Sequence, residues 1–349
     1  MTTTAAPTGS APGQVRRGAR LSPGWAVAVC LGVLAVAVLL SLALGARDVP
    51  HTTVWDAFAR PDAGSTDQAA VLSRVPTTVT GLLVGAALGM GGALMQGMAR
   101  NPLADPGLLG VNAGASLFVV LGMSLLGWQA PLAIVWCALA GAAAAVIVGY
   151  GAATASPGGA TPVTLALAGA AVTAIAVAVI SGILIVDEST LDSFRFWQLG
   201  SLTAATFDGL AQLGGFLTVG AVLALVCSGA LNALALGDDV ARGLGVKVGA
   251  ARLGAATATV LLCGTATALA GPIGFVGLAV PHAIRFLAGV DYRWIVPLSA
   301  TAGAAFLLVC DVIGRLLARP GVLEVGIVTG VVGAPVFIAL LRRRRTVGL

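Results

Sequence analysis

The chain has few charged side chains. Asp, Glu, Lys and Arg make up 9% of its 349 residues, whereas soluble domains carry about 25%. Hydrophobic residues make up 58%, and the mean hydropathy is +1.00. This composition excludes a water-soluble globular protein. The net charge of +5 does not indicate nucleic-acid binding, because the basic residues form short clusters at the termini and at the ends of apolar runs.

Motifs for disulfide or metal chemistry are also missing. All five cysteines lie within apolar runs, with no Cys-x-x-Cys and no paired spacing, so we interpret them as small hydrophobic residues. We predict no metal site and no cofactor bound by this chain, and we interpret His282, beside Pro281, as structural. The cysteines are Cys30, Cys137, Cys227, Cys263 and Cys310.

Two signatures of energy conversion are absent as well. No GxxxxGK[ST] phosphate loop occurs, which excludes ATP hydrolysis by that route. The apolar runs hold almost no ionisable residues, which ion-driven carriers place at membrane depth. Asp311 and Arg315 come nearest, and their spacing predicts an ion pair on one helix face. We therefore predict that the chain is not an enzyme, and that any active transport is powered by a partner.

Ten apolar runs are present instead, most of them close to the roughly 20 residues that a helix needs to cross a membrane. They predict an all-α, polytopic membrane protein. The first run is longer than the apolar core of a signal peptide, so we interpret it as an uncleaved span. The predicted spans are Trp25 to Leu44, Val75 to Met98, Gly107 to Leu126, Pro131 to Tyr150, Val163 to Val186, Phe207 to Leu231, Arg252 to Ala270, Ile273 to Leu287, Trp294 to Leu317 and Gly326 to Leu341.

The distribution of basic residues predicts the orientation. With ten spans, most of the 19 Lys and Arg residues fall on the side of both termini, which the positive-inside rule makes cytoplasmic. The stretches 47–67 and 187–206 then face outward. We predict a disordered cytoplasmic tail at 1–24, a membrane domain at 25–341 and a basic cytoplasmic tail at 342–349.

Small residues and prolines shape the second span and the joint after it. Glycines at four-residue spacing, Gly81, Gly85 and Gly89, predict close helix packing. Two prolines follow, and Asp105 with Pro106 has the pattern of an N-cap and first residue for the third span. This rigid joint is either a simple turn or a constriction.

The longest joint on the cytoplasmic side lies around residues 231–249. Gly237 is suited to end one short helix, and Asp238 or Asp239 to cap the next, which predicts two short helices in a row. Such a unit either docks in a groove of a soluble partner or lies flat at the lipid interface.

Five runs in this order carry a family resemblance. They are QGMARNPLADPGLLGVNAGA at 96–115, FWQLGS at 196–201, LGDDVARGLGV at 236–246, GPIGFVGL at 271–278 with Pro281-His282 after it, and GAPVF at 333–337. Together they resemble the iron-siderophore, cobalamin and haem permeases (FecCD-type) of type II ATP-binding-cassette importers. The resemblance extends from about Trp25 to Leu341.

This resemblance implies ten helices per subunit with inverted repeats, in a bacterial cytoplasmic membrane. It also implies a second permease subunit, identical or paralogous, two ATPase subunits that bind Mg-ATP, and an extracytoplasmic substrate-binding lipoprotein. Ferric siderophores are the expected cargo, with haem or cobalamin as alternatives. An ion-coupled secondary carrier and a membrane scaffold are the competing classes.

Residue roles follow from the same resemblance. Asn101 and Leu103 match a cytoplasmic gate, and Thr161 with Pro162 matches a second gate position. Arg74 and Arg315 match arginines that dock the binding protein, although Thr77 stands where the family pattern has another arginine. The segment that matches the ATPase-coupling helices includes Leu236, Gly237, Asp238, Asp239, Ala241, Arg242, Leu244 and Gly245.

Overall fold

The computed structural model describes residues 22–60, 62, 64–157, 159–203 and 206–345, and its regular elements there are all helical. Most of the predicted tail at 1–24 and residues 346–349 of the predicted basic tail lie outside these described residues. The α-helices are α1 (Pro23–Ala43), α2 (His51–Ala59), α3 (Thr66–Leu72), α4 (Arg74–Met98), α5 (Val111–Leu126), α6 (Pro131–Ala155), α7 (Pro162–Val186), α8 (Glu188–Gln198), α9 (Phe207–Ala235), α10 (Asp238–Gly243), α11 (Val248–Thr259), α12 (Thr265–Ala270), α13 (Val276–Ala288), α14 (Tyr292–Leu317) and α15 (Val325–Arg345).

The helices confirm the predicted ten-span architecture. Within the described part of the chain, 7 helical stretches are long and apolar enough to cross a membrane. Three shorter apolar helices, at Val111–Leu126, Val276–Ala288 and Val325–Leu340, fall where the third, eighth and tenth spans are predicted. The last helix continues to Arg345, so the first residues of the predicted basic tail extend the tenth span.

The seventh span is interrupted by a wider turn. A π-helical segment, Val260–Gly264, joins α11 to α12. Such segments hold one extra residue within an otherwise regular helix. Beyond it, the Thr267 hydroxyl donates a hydrogen bond to Asn112 Oδ1 on α5 at 3.0 Å.

Glycines bring α4 into backbone contact with its neighbours. A Cβ placed on Gly85 would lie 2.5 Å from the carbonyl oxygen of Gly303 on α14. A Cβ on Gly89 or Gly92 would likewise collide with backbone atoms of Ser299 or Gly277. The predicted close packing along the second span is therefore confirmed, and α14 is its main partner.

Polar side chains tie four helices together at the end of the bundle where α10 lies, called the α10 end below. Gln96 on α4 donates to the Leu278 carbonyl oxygen at 3.1 Å and accepts from Arg285 on α13. Arg285 also donates to the Tyr292 hydroxyl on α14 at 3.0 Å, and Asn232 on α9 accepts from the Tyr292 amide at 2.8 Å. Gln96, Arg285, Tyr292 and Asn232 thus all have partners, which makes this network a rigid frame.

Candidate functional site

The joint between α4 and α5 is held by short-range hydrogen bonds. Arg100 has a left-handed backbone conformation (φ 49°) just after α4 ends. The Asn101 Oδ1 atom accepts from the Leu103 amide at 2.9 Å, and the Asp105 Oδ1 atom accepts from the Gly107 amide at 2.8 Å. Burial raises the pKa of the Asp105 carboxyl above its ordinary value, although the Gly107 hydrogen bond opposes this shift.

The start of the third span differs from the prediction. Asp105 does act as an N-cap with Pro106 after it, but the helix they start is a separate 3-10 turn, Pro106–Leu109. Gly110 then adopts a left-handed conformation (φ 76°), and α5 begins only at Val111. The cause is Gly110, because its positive φ breaks the helical path that the prolines begin.

The second predicted gate position lies at the start of α7. Thr161 is the N-cap of this helix, its side chain and that of Thr164 each accept from the other's backbone amide, and Pro162 is the first helical residue. Pro162 lines a gap of about 10 Å³ together with Met98 and Leu109. The structure thus brings Pro162 to the end of α4, whereas Asn101 and Leu103 do not line this gap.

The predicted coupling segment contains one short helix, not two. Helix α9 continues without interruption to Ala235, because no helix-breaking residue precedes Gly237. Gly237, with φ 107°, precedes α10 as its N-cap residue. The expectation of two short helices was wrong, while the expectation that Gly237 separates two helices is confirmed.

Helix α10 presents apolar side chains to the outside of the molecule. Val240 on α10 is exposed, and so are Leu236 just before the helix and Leu244 just after it. Ala241 is buried against the bundle, and Asp239 forms an exposed ion pair with Arg242 at 2.7 Å. The exposed apolar side chains on and beside α10 form a suitable contact surface for a partner protein.

A charged cluster that the sequence did not predict connects α10 to the two joints with the predicted gate residues, one between α4 and α5 and one between α6 and α7. The Asp238 Oδ1 atom lies 2.9 Å from Arg252 Nη2 and 3.5 Å from Arg100 Nη2. Arg252 also donates to the carbonyl oxygen of Ala160, at 2.7 Å, next to Thr161. The signal available beforehand was the rarity of charged residues in this chain, which makes three charged residues near the ends of predicted spans notable.

The two arginines predicted to dock a binding protein have intramolecular partners. Arg74 and Arg315 are each 6% exposed. Arg74 donates to the carbonyl oxygens of Leu42 and Ala43 at 3.0 and 2.7 Å, near the C-terminus of α1. Arg315 pairs with Asp311, which confirms the predicted ion pair. Their docking role stays a prediction, one that these contacts do not favour.

A polar cavity lies between α5, α7 and α8. Its volume is about 460 Å³. Among the described residues, its lining carries hydroxyl and amide groups but no charged side chain. Such a surface can form hydrogen bonds with a solute without holding it through a strong ionic contact. The polar lining residues are Asn112, Ser116, Thr173, Ser181 and Gln198.

Ten apolar spans, a cavity between α5, α7 and α8 without charged residues in its described lining, and a short exposed helix at one end are features of a membrane permease. Residues 33–343 match the FecCD transport family, and the chain belongs to this family. The ferric enterobactin transport system permease protein FepD of Escherichia coli is 45% identical over 91% of this chain and 95% of its own length. The Fe(3+)-citrate import system permease protein YfmD of Bacillus subtilis is 42% identical over 88% of this chain and 91% of its own.

The name of another relative indicates a different cargo. The hemin transport system permease protein HmuU of Yersinia pestis is 35% identical over 93% of this chain and 98% of its own. A solved structure of a metal-chelate type ABC transporter in an inward-facing conformation aligns with a TM-score of 0.80 and 25% identity. The alignment covers 92% of this chain and 99% of that one. The predicted family and its ten-helix permease fold are therefore confirmed.

Proposed function

We propose that the chain is the membrane subunit of an ATP-driven importer of ferric-siderophore complexes. The observation that carries the proposal is the 45% identity, over nearly the full length of both chains, to a permease named for ferric enterobactin. A haem importer is the main alternative, because a hemin permease is similar over the same length at 35% identity. A cobalamin importer is a further alternative, supported by a cobalamin permease that matches 78% of the chain.

The site supports passive guidance of cargo by this subunit. The cavity beside α7 has neutral hydrogen-bonding groups, so a large chelate can pass along it without being held by an ion pair. Two of the cavity-lining helices, α5 and α7, begin at the α10 end of the bundle. The joints that lead into them hold the predicted gate residues Asn101, Leu103, Thr161 and Pro162. In this proposal these joints open and close the path as the partner ATPase works, which is a conformational cycle without covalent chemistry on the cargo.

The partners follow from the same proposal. Two ATPase subunits bind Mg-ATP and contact α10 and its flanking residues through the exposed side chains of Leu236, Val240 and Leu244. A second permease subunit, identical or paralogous, completes the path. An extracytoplasmic binding protein delivers the cargo to the opposite end. Both termini are then cytoplasmic, in a bacterial cytoplasmic membrane.

Iron uptake in cells tests the cargo. An Escherichia coli strain without FepD is given this chain together with a partner ATPase and binding protein. Uptake of radioactive iron is measured from a panel of ferric siderophores and from haem, and cobalamin uptake is followed by cobalamin-dependent growth. We expect ferric-siderophore uptake to be restored. Restoration with haem or cobalamin alone would assign one of those cargoes instead.

A double variant tests whether transport depends on a docked ATPase. Leu236→Asp with Leu244→Asp places charges on the exposed surface on both sides of α10 and leaves the buried Ala241 contact unchanged. We expect insertion into the membrane at normal levels with uptake lost, because the ATPase no longer docks. Uphill transport by the purified chain alone in proteoliposomes would show a secondary carrier and contradict the proposal.

A further inference from the structure

One carboxylate at the α10 end contacts two arginines from different parts of the chain. Asp238 is the first residue of α10, and its side chain is 21% exposed. Arg252, on α11, is 6% exposed at its side chain and lies 2.9 Å from the Asp238 carboxylate. Arg100 approaches the same oxygen atom to 3.5 Å. Because the cluster is partly shielded from water, these contacts are stronger than those of the exposed ion pairs.

Each arginine leads to one of the two joints. Arg100 directly precedes Asn101 in the joint between α4 and α5. Arg252 donates its second hydrogen bond to the Ala160 carbonyl oxygen at 2.7 Å, and Ala160 directly precedes Thr161 at the start of α7. A displacement of α10 therefore changes the contacts of both joints at once, through a single side chain.

The remaining charged residues of α10 do not make this connection. Asp239 pairs with Arg242 inside the same helix, and its side chain is 99% exposed. Arg252 has no other carboxylate within ion-pair distance in the described chain, and its Nε atom has no hydrogen-bond partner there. Without the Asp238 carboxylate, Arg252 would keep only its bond to Ala160 and would be free to reorient.

We propose that Asp238 is the positioning residue that transmits movement of α10 to both joints, so that the two gate positions change state together. This proposal rests on the proposed function, because α10 must be the helix on which the ATPase acts. Asp238 does not touch cargo. Its effect is on the coupling between ATP hydrolysis and opening of the path.

Reconstituted complexes test the coupling. The full chain, its ATPase and its binding protein are placed in proteoliposomes, and cargo uptake and ATP hydrolysis are measured on the same sample. For Asp238→Asn we expect hydrolysis to continue while cargo moved per ATP falls about fivefold or more, the low end of coupling between distant sites. Asp238→Glu retains the charge and should recover most of this ratio. Asp192→Asn, which breaks an exposed ion pair on α8, is the matched control and should leave the ratio unchanged.

A second measurement tests the connection without cargo. Amide hydrogen exchange of the same variants is followed at residues 101–105 and 159–161. Asp238→Asn should speed exchange in both joints, and Asp192→Asn in neither. The proposal fails if only one joint or neither responds, or if uptake and hydrolysis fall in proportion, as they would for a docking defect. A wild-type complex that moves no ferric siderophore would contradict the proposed function alone. The exchange data would still test whether Asp238 connects α10 to the two joints.

Discussion

Helices α4 and α7 are both 25 residues long, but they have opposite surroundings. The most apolar part of the α3–α4 stretch has a mean hydropathy of 1.6, and 78% of it is buried inside the subunit. The corresponding part of α7 has a higher mean hydropathy, 2.5, and only 17% of it is buried. The more apolar helix is thus the more exposed one, the reverse of a water-soluble protein.

The difference follows from the solvent. In a membrane, an exposed helix must be apolar to be compatible with lipid, while the interior gains nothing from extra hydrophobicity. Interior helices associate instead through close backbone contact and paired polar groups: Gly85 on α4 meets Gly303 on α14, and Arg315 on α14 donates to the Ser41 carbonyl oxygen on α1. Hydropathy therefore identifies the spans of this chain but ranks their burial in the wrong order.

The largest expected effect comes from the buried ion pair of α14. Asp311→Ala leaves the buried Arg315 without its counter-charge, and we expect a loss of about 3–5 kcal/mol in the free energy of unfolding. Denaturant unfolding in detergent micelles measures it. Asp192→Ala removes the carboxylate of an exposed pair on α8 and should cost less than about 1 kcal/mol. Equal losses for the two variants would show that Arg315 finds another partner.

A smaller effect is expected at the α4–α14 contact. Gly85→Ala puts a methyl group 2.5 Å from the Gly303 carbonyl oxygen and 2.7 Å from the Ala304 Cα atom, so the helices must separate. We expect a loss of about 1–3 kcal/mol, typical of overpacking, seen as a lower midpoint of thermal unfolding. Gly182→Ala on α7 meets no atom of the described residues within 4 Å and should be neutral or slightly stabilising. Destabilisation by Gly182→Ala would contradict the contrast between the two helices.

Truncation of apolar side chains should give the smallest effect. Leu307 on α14 is fully buried, and Leu167 on α7 is 66% exposed. Leu307→Ala should cost about 1–2 kcal/mol, less than in soluble cores, because lipid replaces water and only the cavity contributes. Leu167→Ala should change the free energy of unfolding by less than about 0.5 kcal/mol. The same unfolding assay compares them, and a loss of 4 kcal/mol or more for Leu307→Ala would indicate a water-like reference state.

The sequence predicted features that depend on local order along the chain. The ten spans follow from the lengths of the apolar runs, and the close packing of the second span follows from the spacing of its glycines. The helix break at Gly237 was also predicted, because glycine tolerates positive φ. The second short helix before it was not found, since nothing between Leu231 and Ala235 interrupts α9.

Contacts between distant residues could not be predicted in this way. Arg252 has partners 14 and 92 positions away, at Asp238 and Ala160, and no spacing rule connects them. Arg74 and Arg315 illustrate the same limit, because the resemblance assigned them to an outer surface while their hydrogen bonds hold the end of α1. Linear position tells which end of a span a side chain is near, but not which neighbour it faces.

The wide turn in the seventh span bears on how this protein can change in evolution. Each residue added to a regular helix rotates everything after it by about 100°, which would move Thr267 away from Asn112. The segment Val260–Gly264 already accommodates one additional residue, so deletion of one residue there would restore regular α-helical winding while Thr267 keeps its place opposite Asn112.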